Sequence, residues 1–167
     1  EKKAILKVIP VKDIGEIDLD AYHKLLSAKT KIVAINHASN SLGTINPIKE
    51  IIDAAHKFDA VVLIDGAQAS AHLEIDVQDL DCDFLACSPY KFWGPHMGAL
   101  WGRRVLLEKL PAYKVRPATN ALPGKFETGT QNHESQAALL GTFEYLDWVA
   151  SLVPPSKAAL RSPRAAR

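Results

Sequence analysis

The chain has 167 residues, enough for one domain but hardly for two, and its 47% hydrophobic content allows a sizeable core. Its 20 basic and 19 acidic residues give a net charge of +1, which argues against charge-driven binding to nucleic acid or to a membrane surface. No apolar run approaches the roughly 20 residues that a membrane-spanning helix needs, and no signal peptide is evident, so we expect a cytoplasmic protein.

Short apolar runs alternate with amphipathic segments along the chain. Strands are predicted at residues 5–11, 31–36, 60–65, 83–87 and 98–102. Helices are predicted from Asp18 or Asp20 to residue 26 and at residues 48–58, 105–109 and 135–149, with a loop-rich segment at 111–130. The strand–helix–strand order predicts an α/β fold with right-handed crossovers and a mostly parallel sheet.

The last part of the chain departs from this pattern. Pro154 and Pro155 stop the last predicted helix, and residues 157–167 are rich in Ala, Arg, Ser and Pro without an apolar stripe. We therefore predict one domain over residues 1–150, followed by a tail over 151–167 that is disordered or foreign to that domain.

Lys91 lies in an aromatic, Gly- and Pro-rich turn, between Tyr90 and Phe92 and close to Trp93. Partial desolvation among these rings would favour the uncharged amine, which forms Schiff bases with aldehydes. Asp65 ends an apolar strand, where an α/β protein holds a cationic ring nitrogen. Taken singly, Lys91 and Asp65 each have a common non-functional interpretation. Most lysines are solvated, and an aspartate before a glycine is often a turn residue. Together they predict a pyridoxal phosphate site, with Lys91 as the covalent attachment point and the base at Cα.

Three further polar residues lie near the predicted strand ends. Gln68 could donate a hydrogen bond to the phenolic oxygen of the cofactor, although an exposed turn position is an equal possibility. Ser88 could bind a phosphate oxygen through its hydroxyl. Asn40 follows a strand and so lies at the edge of the sheet where open α/β proteins bind ligands.

Other kinds of site lack their sequence signatures. The six histidines show neither H-x-x-x-H nor H-E-x-x-H spacing, so we expect no metal. Cys82 and Cys87 are not spaced as C-x-x-C and are predicted to be buried thiols in a reducing compartment. The chain also lacks the G-x-G-x-x-G and G-x-x-x-x-G-K fingerprints of dinucleotide and P-loop sites.

Four motifs occur in order: NHASNSLGT at 36–44, IDGAQA at 64–69, SPYKFWGP at 88–95 and FETGTQN at 126–132. Over about residues 4–150, this series closely resembles the class V aminotransferase family, nearest its cysteine desulfurase and selenocysteine lyase branch. The resemblance implies a three-layer α/β fold with a mostly parallel sheet, forming part of the large domain of a fold type I pyridoxal phosphate enzyme that is a homodimer.

The resemblance also implies roles for the polar residues at the ring end of the cofactor. Lys91 would be the Schiff-base lysine, and Asp65 would pair with the pyridine nitrogen. Gln68 and Asn40 would contact the phenolic oxygen or an amino-acid substrate.

At the phosphate end, the resemblance assigns Ser88 to the phosphate and has Thr130 reach the phosphate of the other subunit. Tyr90 departs from the pattern, because desulfurases usually carry a phosphate-binding histidine there; its hydroxyl could substitute. Neither Cys82 nor Cys87 matches the catalytic cysteine of desulfurases. By resemblance, that cysteine loop, a carboxylate-binding arginine and a ring-stacking residue would lie outside this sequence.

The expected function is thus that of a fragment of a pyridoxal phosphate enzyme that acts on an amino acid by desulfurase-like sulfur transfer, lyase chemistry or transamination. We expect the fragment alone to be inactive. The alternative is an inactive remnant that folds and at most binds the cofactor. A nucleotide-binding module would rest on fold analogy alone. An incomplete domain lacks packing partners, so we also expect exposed apolar faces and marginal stability.

Overall fold

The computed structural model describes residues 3–152, in which four strands, six α-helices and one 3-10 helix form. The strands are β1 (Ile32–Asn36), β2 (Val61–Asp65), β3 (Phe84–Cys87) and β4 (Ala99–Gly102). The helices are α1 (Leu19–Leu25), α2 (Ile48–His56), α3 (Ala69–His72), α4 (Val77–Leu80), α5 (Arg104–Lys109) and α6 (His133–Leu152), and the 3-10 helix spans Pro89–Phe92.

The strands form one sheet in the order β1-β2-β3-β4. The first three are mutually parallel, and β4 runs antiparallel to β3. The predicted α/β fold with a mostly parallel sheet is therefore confirmed. Asn36 and Asp65 are register partners at the carboxyl ends of β1 and β2, which places both at the same edge of the sheet.

The core lies between one face of the sheet and the helices α1 and α2. The buried apolar face of α2 consists of Ile48, Ile51, Ile52, Ala54 and Ala55. It belongs to one cluster with alternate residues of β1 and β2, namely Val33, Ile35, Val62 and Ile64. Tyr22 joins α1 to this cluster by donating its hydroxyl to the Ile51 carbonyl at 2.8 Å. Burial raises the pKa of Tyr22 to about 12, so the phenol remains a donor.

Several apolar side chains remain exposed within the described part of the chain. Ile32 of β1 is 59% exposed, whereas Val33 beside it is buried. Helix α6 exposes Leu140, Phe143, Tyr145, Trp148 and Leu152. The predicted exposure of apolar faces is thus confirmed, while marginal stability stays a prediction.

An ion-pair network joins the start of β3 to the end of β4. The carboxylate of Asp83, which is 7% exposed, lies 3.0 Å from His56 Nε2 and 3.1 Å from Arg103 Nε. Asp83 also accepts a hydrogen bond from the Val62 amide at 2.7 Å. Arg103 donates to Asp81 as well, and this contact lowers the pKa of the Asp81 carboxyl. The network lies at the end of the sheet opposite to Asp65.

The prediction of a strand at residues 5–11 is wrong. Val11 makes only an isolated antiparallel bridge with Ile17, and Leu6 is 88% exposed. An apolar run becomes a strand only where a neighbour takes up its backbone hydrogen bonds, and no described strand pairs with this one.

Helix α6 is longer than predicted, so residues 151 and 152 of the predicted tail continue it. The rest of that tail, residues 153–167, lies outside the described residues. Although α6 spans 20 residues, neither it nor any other helix in the described range is long and apolar enough to cross a membrane.

Candidate active site

A cavity of about 200 Å³ lies at the carboxyl edge of β1 and β2. Its lining consists of Asn36, Ala38, Asn40, Asp65, Ala67, Gln68 and Lys91. Four of the predicted site residues, Asn40, Asp65, Gln68 and Lys91, therefore meet in one place. They come from three separate segments of the chain, and the parallel arrangement of the strands brings these segments together.

Asp65 is held by its own turn at the end of β2. Its Oδ1 accepts the Ala67 amide at 2.9 Å, and its backbone carbonyl accepts the His37 amide at 2.9 Å. Gly66 lets the turn approach β3, because a Cβ there would lie 3.1 Å from the Ala86 carbonyl oxygen. The carboxylate is exposed in this turn, where it can accept a hydrogen bond from a ligand.

Lys91 is presented by the 3-10 helix Pro89–Phe92. Its amide donates to the Ser88 carbonyl at 3.0 Å, and the Gly94 amide donates to the Pro89 carbonyl at 2.9 Å. The Lys91 side chain is half-buried, with Nζ 5.7 Å from the centroid of the Tyr90 ring. The turn thus fixes the lysine backbone and leaves the amine at the cavity.

The tight contact of Gly94 with Pro89 provides a test of this turn. A Cβ at Gly94 would lie 2.9 Å from both Pro89 Cβ and Pro89 O, so Gly94→Ala must push the turn apart. We expect a loss of about 1–3 kcal/mol in the free energy of unfolding, measured by urea titration. Gly98→Ala is the matched control, because a Cβ there meets no atom within 4 Å. Equal stability losses in the two variants would contradict the role given to Gly94.

The loop that carries Asn40 is a compact turn after β1. Ala38 and Ile45 form an antiparallel bridge at its base. Within it, Ser39 Oγ accepts the Leu42 amide at 3.1 Å, and Gly43 takes a left-handed φ of 73°. Asn40 is therefore held at the cavity by local hydrogen bonds.

Three predicted site residues do not line the cavity. Ser88 is half-buried before the Lys91 turn, and Thr130 is exposed in the loop before α6. The Tyr90 ring stacks on His96, with centroids 5.0 Å apart and planes 5° apart. The four residues predicted for the ring end of the cofactor thus lie together at the cavity, whereas Ser88, Tyr90 and Thr130 do not. The roles of all seven residues stay predictions.

Asn36, Ala38 and Ala67 line the cavity although they were not predicted as site residues. The two alanines carry no chemical signal in the sequence. Asn36 did carry one, since it is a polar residue that ends a buried strand, as Asp65 does.

His37 follows Asn36 and has a buried Nδ1 without a hydrogen-bond partner among the described residues. Burial lowers the pKa of His37 from its ordinary value of 6.5. The unfolded chain therefore takes up a proton at this residue at a higher pH than the folded chain does. The resulting contribution to stability is present above about pH 6.5 and is lost as pH falls from there through the folded-state pKa.

We accordingly expect the melting temperature to fall between pH 7.5 and 5.5, as followed by circular dichroism. His37→Gln should flatten this pH dependence, whereas His72→Gln, at an exposed histidine, should leave it unchanged. If the melting temperature of His37→Gln changed with pH as steeply as that of the wild type, His37 could not be the source of this pH dependence.

Neither cysteine lines the cavity. Cys82 is buried, Cys87 is half-buried, and both are free thiols. Burial raises the pKa of each thiol, which disfavours the nucleophilic thiolate. The part of the chain that the structure describes thus places no thiol on the cavity wall.

The family model described as aminotransferase class-V matches residues 1–154. This chain belongs to that family. The match spans all of the described residues and so includes every residue that lines the cavity.

Curated relatives are cysteine desulfurases. A cysteine desulfurase of Synechococcus elongatus is 42% identical over 158 residues, which is 87% of this chain and 25% of that protein. A probable cysteine desulfurase of Halalkalibacterium halodurans is 40% identical over 156 residues, which is 86% of this chain and 38% of that protein. The chain thus spans between a quarter and about two fifths of the length of these relatives.

Solved structures agree on the fold. A cysteine desulfurase from Escherichia coli superposes with a TM-score of 0.77 at 31% identity, covering 83% of this chain and 38% of that chain. The apo structure of a cysteine desulfurase from Thermococcus onnurineus superposes with a TM-score of 0.73 at 29% identity. This match covers 86% of this chain and 39% of that chain. The chain therefore has the fold of part of a fold type I pyridoxal phosphate enzyme.

Proposed function

We propose that this chain is the cofactor-binding part of a cytoplasmic, homodimeric pyridoxal phosphate enzyme that acts on an amino acid. Its reaction would be desulfurase-like sulfur transfer, lyase chemistry or class V transamination. The observation that carries the proposal is the meeting of Lys91, Asp65, Gln68 and Asn40 in one cavity. They supply an amine, a carboxylate and two amides, the groups that the ring of this cofactor requires.

The ring end of the cavity fits pyridoxal phosphate. When bound, this cofactor supplies a cationic ring that withdraws electrons from the Cα of an amino acid. Lys91 would hold it covalently through its aldehyde, and Asp65 would accept a hydrogen bond from the protonated ring nitrogen. Asn40 and Gln68 would donate to the phenolic oxygen.

Lys91 would have a second task once an amino acid has replaced it at the cofactor. Its amine would then be free to take the proton from the substrate Cα and to return a proton later. Asp65 would keep the ring nitrogen protonated throughout, because a carboxylate at that atom favours the cationic form.

The phosphate end would involve Ser88, Tyr90 and, from a second subunit, Thr130. These three side chains lie outside the cavity lining, so we propose the phosphate contacts on the resemblance to the family alone. A dimer would be needed to complete this end of the site.

The cavity also supports a second candidate function, that of a remnant which binds the cofactor without turnover. The observation in its favour is that the thiols of Cys82 and Cys87 lie away from the cavity. Persulfide formation therefore has no nucleophile among the described residues that line it.

One experiment separates the two candidates. The purified chain is mixed with pyridoxal phosphate, and the visible absorption band of the bound cofactor is recorded before and after cysteine is added. A band accompanied by alanine formation supports a desulfurase, while a band without conversion of cysteine or other amino acids supports the remnant. The absence of any band at saturating cofactor would contradict both.

A further inference from the structure

Asn46 is a buried polar residue that contacts the end of β1. It is 6% exposed, and its side-chain Nδ2 donates to the Asn36 carbonyl oxygen at 2.8 Å. The same Nδ2 lies 3.3 Å from Asn36 Oδ1. The Asn46 backbone amide donates to the His37 carbonyl at 2.9 Å. Asn46 thus contacts both the backbone and the side chain at the strand end that borders the cavity.

These contacts determine which way the Asn36 amide is turned. A backbone carbonyl can only accept, so the Asn46 atom that approaches it must be the nitrogen. The Asn36 side-chain atom that faces this nitrogen must in turn be the oxygen, because two NH₂ groups cannot hydrogen-bond each other. The amide group that remains available on Asn36 is therefore its NH₂, which carries two donors.

Asn36 also lies beside Asp65. The two residues are register partners on parallel strands, so their side chains point to the same face of the sheet. Both line the cavity that Lys91 enters. The cavity wall consequently offers a hydrogen-bond donor from Asn36 next to the acceptor from Asp65.

We propose that Asn36 is a ligand-binding residue of this cavity, held by Asn46 so that its NH₂ donates to an anionic oxygen of the bound ligand. That oxygen belongs either to the cofactor or to the carboxylate of an amino-acid substrate. The inference rests on the proposed function and adds to it a contact on the β1 side of the cavity.

The decisive variant is Asn36→Asp. It keeps the shape of the side chain and an oxygen that can accept from Asn46 Nδ2, but it removes both donors. Asn36→Ala removes the donors without adding charge and so separates donor loss from repulsion of Asp65. Asn120→Asp, at an exposed residue outside the cavity lining, is the matched control for the charge change.

Cofactor affinity is measured by titrating each variant with pyridoxal phosphate and following the visible band. The spectral change on adding an amino acid is then recorded, and thermal unfolding shows that each variant is folded. We expect Asn36→Asp and Asn36→Ala to bind the cofactor about tenfold or more weakly, or else to lose the amino-acid response. The first result identifies a cofactor oxygen as the acceptor, and the second identifies the substrate carboxylate.

Wild-type behaviour of the folded Asn36→Asp variant in both measurements would overturn the inference and leave the proposed function standing. A wild-type chain that shows no cofactor band would overturn the proposed function and this inference together. Should Asn36→Ala not fold, Asn36→Leu takes its place, because leucine is uncharged, is close to asparagine in size and carries no donor.

Discussion

Replacing Lys91 by alanine is expected to abolish the visible absorption band that pyridoxal phosphate acquires on binding to this chain. The band requires a covalent bond between the cofactor aldehyde and a lysine amine. Lys91 is the lysine that lines the cavity, where Asp65 lies with it. No other lysine among the described residues lines the cavity, so another residue should not replace Lys91.

Lys109→Ala is the matched control for this change, since Lys109 is exposed in α5, away from the cavity. It should retain the band at the wild-type intensity. A band that persists unchanged in Lys91→Ala would contradict the assignment of Lys91 as the lysine that binds the cofactor covalently.

Replacing Asp83 by alanine is expected to cause the largest loss of stability. Asp83 is buried, and the change removes the acceptor of the buried Val62 amide together with the charged partner of His56 and of Arg103 Nε. Arg103 keeps its contact with Asp81. An unsatisfied buried amide costs about 1–3 kcal/mol, and the lost ion pairs of this partly buried network add to it, so we expect a loss of about 2–4 kcal/mol. That is a large fraction of the stability of an ordinary domain. Urea unfolding followed by circular dichroism measures the loss, and a chain that no longer folds would also agree with it.

Asp53→Ala provides the comparison for Asp83→Ala. Asp53 pairs with Lys49 at 3.2 Å on the exposed surface of α2, with about half of each side chain accessible. Removal of an exposed pair of this kind costs about 0.3–0.5 kcal/mol. Similar losses for the two variants would show that the network around Asp83 does not support the fold as described.

Local patterns were sufficient to predict much of the sheet and four of the residues that line the cavity. The run that ends at Asp65 is short, β-branched and bounded by a glycine, a combination that favours a buried strand. The Lys91 turn is likewise marked by its own residues, because Pro89 and Gly94 set its backbone.

What the sequence could not predict depends on contacts between distant residues. The apolar run at residues 5–11 has the composition of a strand, but pairing decides its structure, and the described residues provide no partner strand. The orientation of Asn36 depends on Asn46, ten residues away, across a loop whose path is not marked in the sequence. The stacking of Tyr90 on His96 is similarly a product of the folded turn.

The most direct test of the central claim is to locate the cofactor on the chain. Borohydride reduction of the complex with pyridoxal phosphate converts the covalent bond to a stable secondary amine, and proteolysis with mass spectrometry identifies the labelled lysine. We predict that the label lies on Lys91 and is displaced when an amino acid is added before reduction. Label spread over exposed lysines, with Lys91 unmodified, would contradict the account.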